Sequence, residues 1–350
     1  MVNVKTISII VVTLNEAAHI QQLMSSIDRL ERPSDLALET ILIDGGSTDG
    51  TADAAHKADF AKLIVIEGAS IPACRNRGLA EARGKIIAFL DGDCEPARDW
   101  LVNALPHLEG TDPVIIGWPV KPPTPGTWVQ RAWHTHWMFK NRAATSNEPV
   151  REEAFRLITT RNMLLTRSTA DQLGGFDEHL PTGEDTDFVF RAYAKGIRVL
   201  GVPSLCVTHH GEPSTLGDFF RQQLWHANKS SYAKIMNTPG TRAGRNAVIF
   251  SWAYALSFVL CLLAIPAAVL IPKSAWALTL PLIALLLGPA VLIALRAGNP
   301  VLIPALTALY GAYGLARTLD LLGLGRDKRS WKTTARAADQ KPEIGNRKSQ

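Results

Sequence analysis

Cysteine is scarce in this 350-residue chain. The four residues, Cys74, Cys94, Cys206 and Cys261, are widely spaced and form no Cys-x-x-Cys pair. That excludes a disulfide framework and a structural zinc site, and free thiols in a reducing compartment fit best. Acidic residues are absent from 247–316, where the only charges are Lys273 and Arg296. Neither zinc-finger spacing nor a basic helix of DNA-reading character is found, which argues against a nucleic-acid partner. There is no internal repeat. The first apolar run, residues 7–12, is too short for a signal-peptide core and meets Asn15-Glu16 at once, so it is predicted to be a buried strand.

What is present is unevenly distributed. Hydrophobic residues make up 47% and charged residues 20%, enough for a sizeable core and against global disorder. The net charge of +5 equals the excess of residues 326–350, which hold eight Lys/Arg and three Asp/Glu. A basic tail after apolar segments points to an anionic leaflet, although a solvated tail would have the same composition. The expected division is a soluble α/β domain over 1–240, a membrane region over 247–324 and a basic tail over 325–350. Residues 247–271 and 275–295 are uncharged and long enough to cross a hydrocarbon core, which takes about 20 residues. Residues 300–324 contain Arg317 and Asp320, and either a third span or an interfacial helix fits them. A tail and a catalytic domain both on the cytoplasmic face require an even number of crossings, so two spans plus one interfacial helix are expected.

The first hundred residues alternate as βαβ units do. Strands are expected at 7–12, 39–43, 63–66 and 85–90, with helices after Glu16, after Thr51 and around 75–83. A largely parallel sheet follows. In such sheets ligands lie beyond the carboxyl ends of the strands, where Asp44 and Asp91 fall. Residues 117–127 are Pro-rich and read as a loop. Residues 128–140 carry Trp128, Trp133, Trp137 and Phe139, more consistent with core packing or a membrane-facing helix than with base stacking. A helix is expected at 186–195 and one strand-like run at 198–207.

The strongest local pattern is Asp91-Gly92-Asp93 after Phe89-Leu90. Two carboxylates at a strand end offer hard oxygen ligands to Mg²⁺ or Mn²⁺, which leave positions for substrate phosphates. An Asp-x-Asp pair also occurs in ordinary surface turns, so its partners matter. Asn15 and Glu16 follow the first strand, Asp44 enters a Gly-rich turn, and Arg75 lies where it would meet phosphates. Each has a plain alternative: Asp44 as an Asx turn, the Arg75–Arg77 cluster as a solvated face. Glu184 and Asp185 precede a helix and read as caps or as a general base for an acceptor hydroxyl. His209 or His210 would complete a metal shell or touch a diphosphate, and a core or surface histidine fits equally.

Taken together, these residues resemble the family 2 glycosyltransferases over most of 5–235. The resemblance rests on Ser8 through Glu16, Ile43-Asp44-Gly45-Gly46-Ser47-Thr48-Asp49-Gly50-Thr51, Arg75-Asn76-Arg77-Gly78, Phe89-Leu90-Asp91-Gly92-Asp93, Gly174-Gly175-Phe176-Asp177-Glu178 and Gly183-Glu184-Asp185. It implies a GT-A fold, a Rossmann-like mixed sheet, with a nucleotide-sugar donor, a divalent cation (Mn²⁺ or Mg²⁺) and inversion at the anomeric carbon. It places Asp44 at the base or ribose, Asp91 near ribose and diphosphate, Asp93 on the metal, and Asp185 as catalytic base beside Glu184; of the two histidines, His209 is the candidate for a further metal ligand by its position alone. Two departures stand out. Asp44-Gly45-Gly46-Ser47 replaces the frequent Asp-Asp-Gly-Ser, so Asp44 alone carries the nucleotide contact. Processive synthases have Gln-x-x-Arg-Trp, whereas this chain has Arg221-Gln222-Gln223-Leu224-Trp225. Arg221, Gln222 and Trp225 are therefore candidates for acceptor or diphosphate contact, or simply one face of an amphipathic helix.

The expectation is transfer of a single sugar, most simply from a UDP-sugar, onto a lipid-linked or membrane-proximal saccharide acceptor in bacterial glycan or exopolysaccharide assembly. Membrane lipids are further partners. The expected location is the plasma membrane, multi-pass, with the catalytic domain cytoplasmic. Alternatives are a polyprenyl-phosphate sugar synthase and a catalytically silent sugar-nucleotide scaffold. A transporter is disfavoured, because the first two apolar segments hold no ionisable residue for a substrate path.

Overall fold

The computed structural model describes residues 5–110, 112–140, 157–180, 182–226, 243–271 and 273–324. The basic tail, 325–350, and the end of the expected soluble domain, 227–240, lie outside the described residues.

The β-branched run at the start forms β1 (Lys5–Thr13), and α1 (Ala17–Asp28) follows. Then come β2 (Leu36–Asp44), α2 (Thr51–Lys57), β3 (Lys62–Val65), α3 (Ile71–Glu81) and β4 (Ile86–Asp91). The middle of the chain supplies β5 (Cys94–Pro96), α4 (Trp100–Leu108), β6 (Val114–Gly117), β7 (Val120–Lys121) and α5 (Trp128–Lys140). Next are β8 (Met163–Thr166), α6 (Arg167–Leu173), α7 (Glu184–Ala194), β9 (Arg198–Gly201), β10 (Val207–His209) and α8 (Leu216–His226). Three helices complete the described chain: α9 (Ala243–Leu270), α10 (Leu280–Arg296) and α11 (Leu302–Leu321).

The main sheet has seven strands in the order β3-β2-β1-β4-β8-β6-β9. All neighbours are parallel except β8, which runs antiparallel to both β4 and β6. Both faces of β1 are covered, which explains why its sequence is apolar without alternation. Ile7, Ile9 and Val11 join a core with Ile20 and Leu23 of α1 and Trp100 and Leu101 of α4. Ile10 and Val12 join a second core with Cys74 of α3 and Phe188 and Val189 of α7. Gly78 lets α3 approach: a Cβ there would lie 2.3 Å from Ile10 Cγ2.

Three local boundaries differ from the sequence expectation. Helix α3 begins at Ile71, because Ser70 accepts the Ala73 N–H at its start and Pro72 sits in its first turn. The helix expected around 75–83 thus starts four residues earlier, and Arg75, Asn76 and Arg77 lie within it. Helix α7 begins at Glu184, with Gly183 in the left-handed region ahead of it, so the acidic residues occupy its first turn. The single strand expected at 198–207 is two. Beyond Gly201 the chain passes Pro203, which has no N–H to continue a ladder. Strand β9 stays in the main sheet, while β10 joins a three-stranded sheet, β5-β10-β7, with His209 opposite Cys94.

The Trp-bearing helix α5 is a packing helix. Val129, Ala132 and Trp133 pack with Phe219 of α8, Ile293 of α10 and Leu306, Leu309 and Tyr310 of α11. The segments Ile249–Leu270 and Ala275–Arg296 are long and apolar enough to cross a membrane. Their side chains are largely uncovered, as at Trp252 (61% exposed) and Val269 (83% exposed). Helix α11 differs: Leu306, Leu309 and Arg317 are buried, and the Arg317 guanidinium lies 4.9 Å from the centre of the Tyr313 ring.

Candidate active site

The register of β1 builds the crevice. Thr13 pairs with Asp44 on one side and Val12 with Asp91 on the other. The carboxyl ends of β2 and β4 thus bracket that of β1, and the segments following all three meet there.

Asp44 is 1% exposed. Its Oδ1 accepts from the Ser47 hydroxyl (2.6 Å) and from the backbone N–H groups of Ser47 (3.0 Å) and Gly46 (3.2 Å). Its Oδ2 is buried with no hydrogen-bond partner among the described residues. An orphaned carboxylate oxygen is costly unless a ligand donor completes it. Asn15, at φ 59°, ties the first loop to the second: its Oδ1 accepts the Thr48 N–H (2.8 Å), and its own N–H donates to Ser47 Oγ (2.8 Å). The Glu16 N–H donates to Thr51 Oγ1 (2.9 Å). Glu16 also pairs with His19 Nδ1 (2.9 Å). Burial raises the Glu16 pKa, helped by Asp93 and opposed by His19. Asn15 thus ties the segment after β1 to the one after β2, while Glu16 faces the Asp93 side.

Arg75 is buried between two carboxylates: it forms an ion pair with Glu184 and lies 3.4 Å from Asp91 Oδ1. Its guanidinium carbon sits 5.8 Å from the centre of the Phe176 ring. Asn76 holds that ring's segment, accepting the Phe176 N–H (2.7 Å) and donating to the Phe176 carbonyl (2.9 Å). The carboxylate of Glu184 is thereby committed to Arg75. Asp185 is half-buried, with Oδ1 accepting the Thr186 N–H (2.6 Å). Burial raises the pKa of Asp91, and Arg75 opposes the rise.

Asp93 and His209 are each 7% exposed, and His209 Nε2 lies 3.2 Å from Asp93 Oδ1. His209 Nδ1 faces Glu212 (3.1 Å), which pairs with Arg161 (2.6 Å). Burial disfavours the charged imidazole, yet the carboxylates of Asp93 and Glu212 override it and lift its pKa to about 10. Burial likewise works against ionisation of Asp93, but His209 holds its carboxyl down at about 2. A place that binds a proton this firmly is strongly negative in potential, and the donors are a carboxylate and an imidazole. Both facts fit a divalent cation there. The ligand atoms of Asp93, Cys94 and His209 lie within 4.8 Å of one another. Burial pushes the Cys94 thiol far up, and its Sγ contacts the Arg161 carbonyl (3.5 Å), so it remains a neutral thiol and a poor ligand for a hard cation.

Not every expected residue joins this cluster. Helix α8 packs against α11, burying Phe219 and Gln223. Arg221 is exposed and pairs with Asp218 of its own helix, Gln222 is half-buried, and the Trp225 ring meets His226 edge-on. His210 stacks on His19 and lies 3.3 Å from Glu95. Arg161 and Glu212 were not singled out by the sequence. Glu212 had a signal in its spacing, three residues after His209; Arg161 had none, because only the fold brings it near.

The chain is similar to several known proteins. Residues 8–174 match the model of glycosyl transferase family 2. The chain is 28% identical over 225 residues to glycosyltransferase AglE of Haloferax volcanii, covering 62% of this chain and 70% of that one. It is 27% identical over 243 residues to the pre-mycofactocin glycosyltransferase of Mycobacterium tuberculosis, covering 65% of this chain but 46% of that enzyme's length. Among solved structures, mannosyltransferase PcManGT from Pyrobaculum calidifontis, determined with GDP-Man and Mn²⁺, superposes with a TM-score of 0.56 at 21% identity, over 90% of this chain and 87% of that one. Residues 8–174 form a glycosyl transferase family 2 domain, the mixed sheet that contains them has the GT-A fold, and the protein is a glycosyltransferase.

Proposed function

We propose that this enzyme transfers one sugar from a nucleotide diphosphate donor, with inversion, to a lipid-linked or membrane-proximal acceptor. The observation that carries the reading is the convergence of Asp44, Asp91 and the Asp93–His209 pair at one sheet edge.

In this reading the unpaired Asp44 Oδ2 accepts a hydrogen bond from the base or ribose, and Asp91 contacts the ribose beside Arg75. Asp93 and His209 hold the divalent cation, which when bound supplies Lewis-acid stabilisation of charge on the departing diphosphate. Asp185 is the base. As the acceptor oxygen bonds to the anomeric carbon from the face opposite the diphosphate, the hydroxyl proton passes to the Asp185 carboxylate. Glu184 supports this step indirectly, by neutralising Arg75 and holding the start of α7. Arg221, Gln222 and Trp225 are assigned to the acceptor side, because α8 rests on α11 next to the apolar helices.

Membrane placement follows from the uncovered apolar surface of α9 and α10. The two cross as a hairpin, and α11, packed on α5 and α8, stays at the interface. The catalytic domain and the chain after α10 then share the cytoplasmic face.

The test is a donor panel. UDP-, GDP- and dTDP-sugars labelled in the sugar are incubated with the full chain and membrane lipid, with Mn²⁺, Mg²⁺ or EDTA. Metal-dependent label in the lipid fraction from one donor class is the expected result. Label transferred to no membrane-associated acceptor would contradict the proposal.

A further inference from the structure

The loop after β10 holds a group that neither the family motifs nor the mechanism above uses. We propose that Glu212, seated by Arg161, is a positioning residue that aims His209 Nε2 at the same point as the Asp93 carboxylate. This rests on the proposed cation role of Asp93 and His209.

An imidazole has two nitrogens, and a partner on one fixes both the tautomer and the ring angle of the other. Here Nδ1 is committed to Glu212 Oε1 at 3.1 Å, which leaves Nε2 on the Asp93 side at 3.2 Å. Glu212 is itself fixed from two directions. Arg161 Nη1 donates to the same Oε1 at 2.6 Å, and Arg161 Nε donates to Thr159 Oγ1 at 3.2 Å. The Glu212 carbonyl accepts from Nε2 of the buried Gln130, on α5, at 2.9 Å. The ring orientation is thus imposed by the segment before β8 and by α5, not by β10 alone.

The turn between these residues closes on Asp93. The His210 N–H donates to the Asp93 carbonyl (3.0 Å). A Cβ on Gly211 would lie 2.2 Å from Asp93 Oδ2 and 3.3 Å from His209 Cε1. Only glycine lets the backbone pass between the two ligands while both keep their aim.

A purely structural Arg161–Glu212 ion pair would have the same distances, so the test must read the ligand field and not activity alone. The probe is Mn²⁺ titrated into the full chain in lipid or detergent, with saturating UDP or GDP. Affinity is followed by electron paramagnetic resonance, and histidine coordination by pulsed detection of ¹⁴N coupling. The wild type should show nitrogen coupling that His209→Ala removes. Glu212→Gln should weaken Mn²⁺ binding by about 10–100-fold and diminish the nitrogen signal, with far-UV dichroism unchanged. Glu212→Asp, too short to reach Nδ1, should do the same and carries the test if Glu212→Gln does not fold. Gly211→Ala should lose Mn²⁺ with both carboxylates intact. Folded Glu212 variants that bind Mn²⁺ within about twofold of wild type, nitrogen coupling intact, would overturn the proposal. Mn²⁺ bound by wild type without nitrogen coupling would also overturn it, leaving the Asp93 assignment standing. No Mn²⁺ binding by wild type would instead overturn the cation reading itself.

Discussion

Asp44 and Asp91 end the two strands that flank β1, in register with Thr13 and Val12. Two carboxylates from separate βα units therefore share one sheet edge, one residue out of step. The stagger gives them different surroundings: Asp44 is buried among backbone N–H groups, while Asp91 sits beside Arg75 and ahead of Asp93.

Asp44 is expected to govern donor affinity. Asp44→Asn keeps an oxygen for the Ser47 contacts but removes the charge from the Oδ2 position. A hydrogen bond to a charged group contributes about 1.5–3 kcal/mol, so donor KM should rise roughly 10–100-fold with kcat little changed. Steady-state kinetics check this.

Asp185 should behave in the opposite way. Asp185→Asn should lower kcat by about 10²–10⁴-fold and leave donor affinity intact. Activity that survives would favour a phosphate acceptor, which needs no strong base, and would move the enzyme to the polyprenyl-phosphate sugar synthases.

Arg75 and Glu184 form a pair with side chains 7% and 8% exposed. Removing one partner strands the other charge. Glu184→Gln should cost about 3 kcal/mol of folding stability, near the low end for a broken buried pair because Asp91 remains beside Arg75. Denaturant unfolding measures it. The double variant Arg75→Met/Glu184→Met should recover much of the loss, while losing activity.

The hairpin makes a topological prediction. In a background without native cysteines, Ser274→Cys, in the turn between α9 and α10, should react only with a thiol reagent on the outer face. Gly298→Cys, after α10, should react from the side of the catalytic domain. Labelling of both from one side would contradict two crossings.

Much of this was legible in the sequence, for identifiable reasons. Apolar runs ending in Asp44 and Asp91 announce strands whose carboxyl ends bear charge, and parallel topology then forces them together. The start of α3 is harder to read, because Arg75–Arg77 is a polar stretch, whereas Ser70 and Pro72 mark the true start. The break at Pro203 is hidden in the sequence, because the residues around it are apolar enough to continue a strand. Its consequence is large: it sends β10 across to Cys94 and brings His209 to Asp93. Arg161 had no local signal, since its role exists only once β8 lies beside β4 and the turn after β10 folds over it. The buried side of α11 was unreadable for the same reason. An apolar helix packed on α5 and one facing lipid have the same composition.

In the proposed mechanism Asp93 and His209 hold a cation that makes donor cleavage possible. Its most direct test is nucleotide release from a cognate sugar nucleotide by the purified full chain, with Mn²⁺ or Mg²⁺ against EDTA, for wild type and Asp93→Ala. Release should require the cation and disappear in Asp93→Ala, while the variant remains folded. Release that persists in EDTA, or that Asp93→Ala sustains at the wild-type rate, would contradict it.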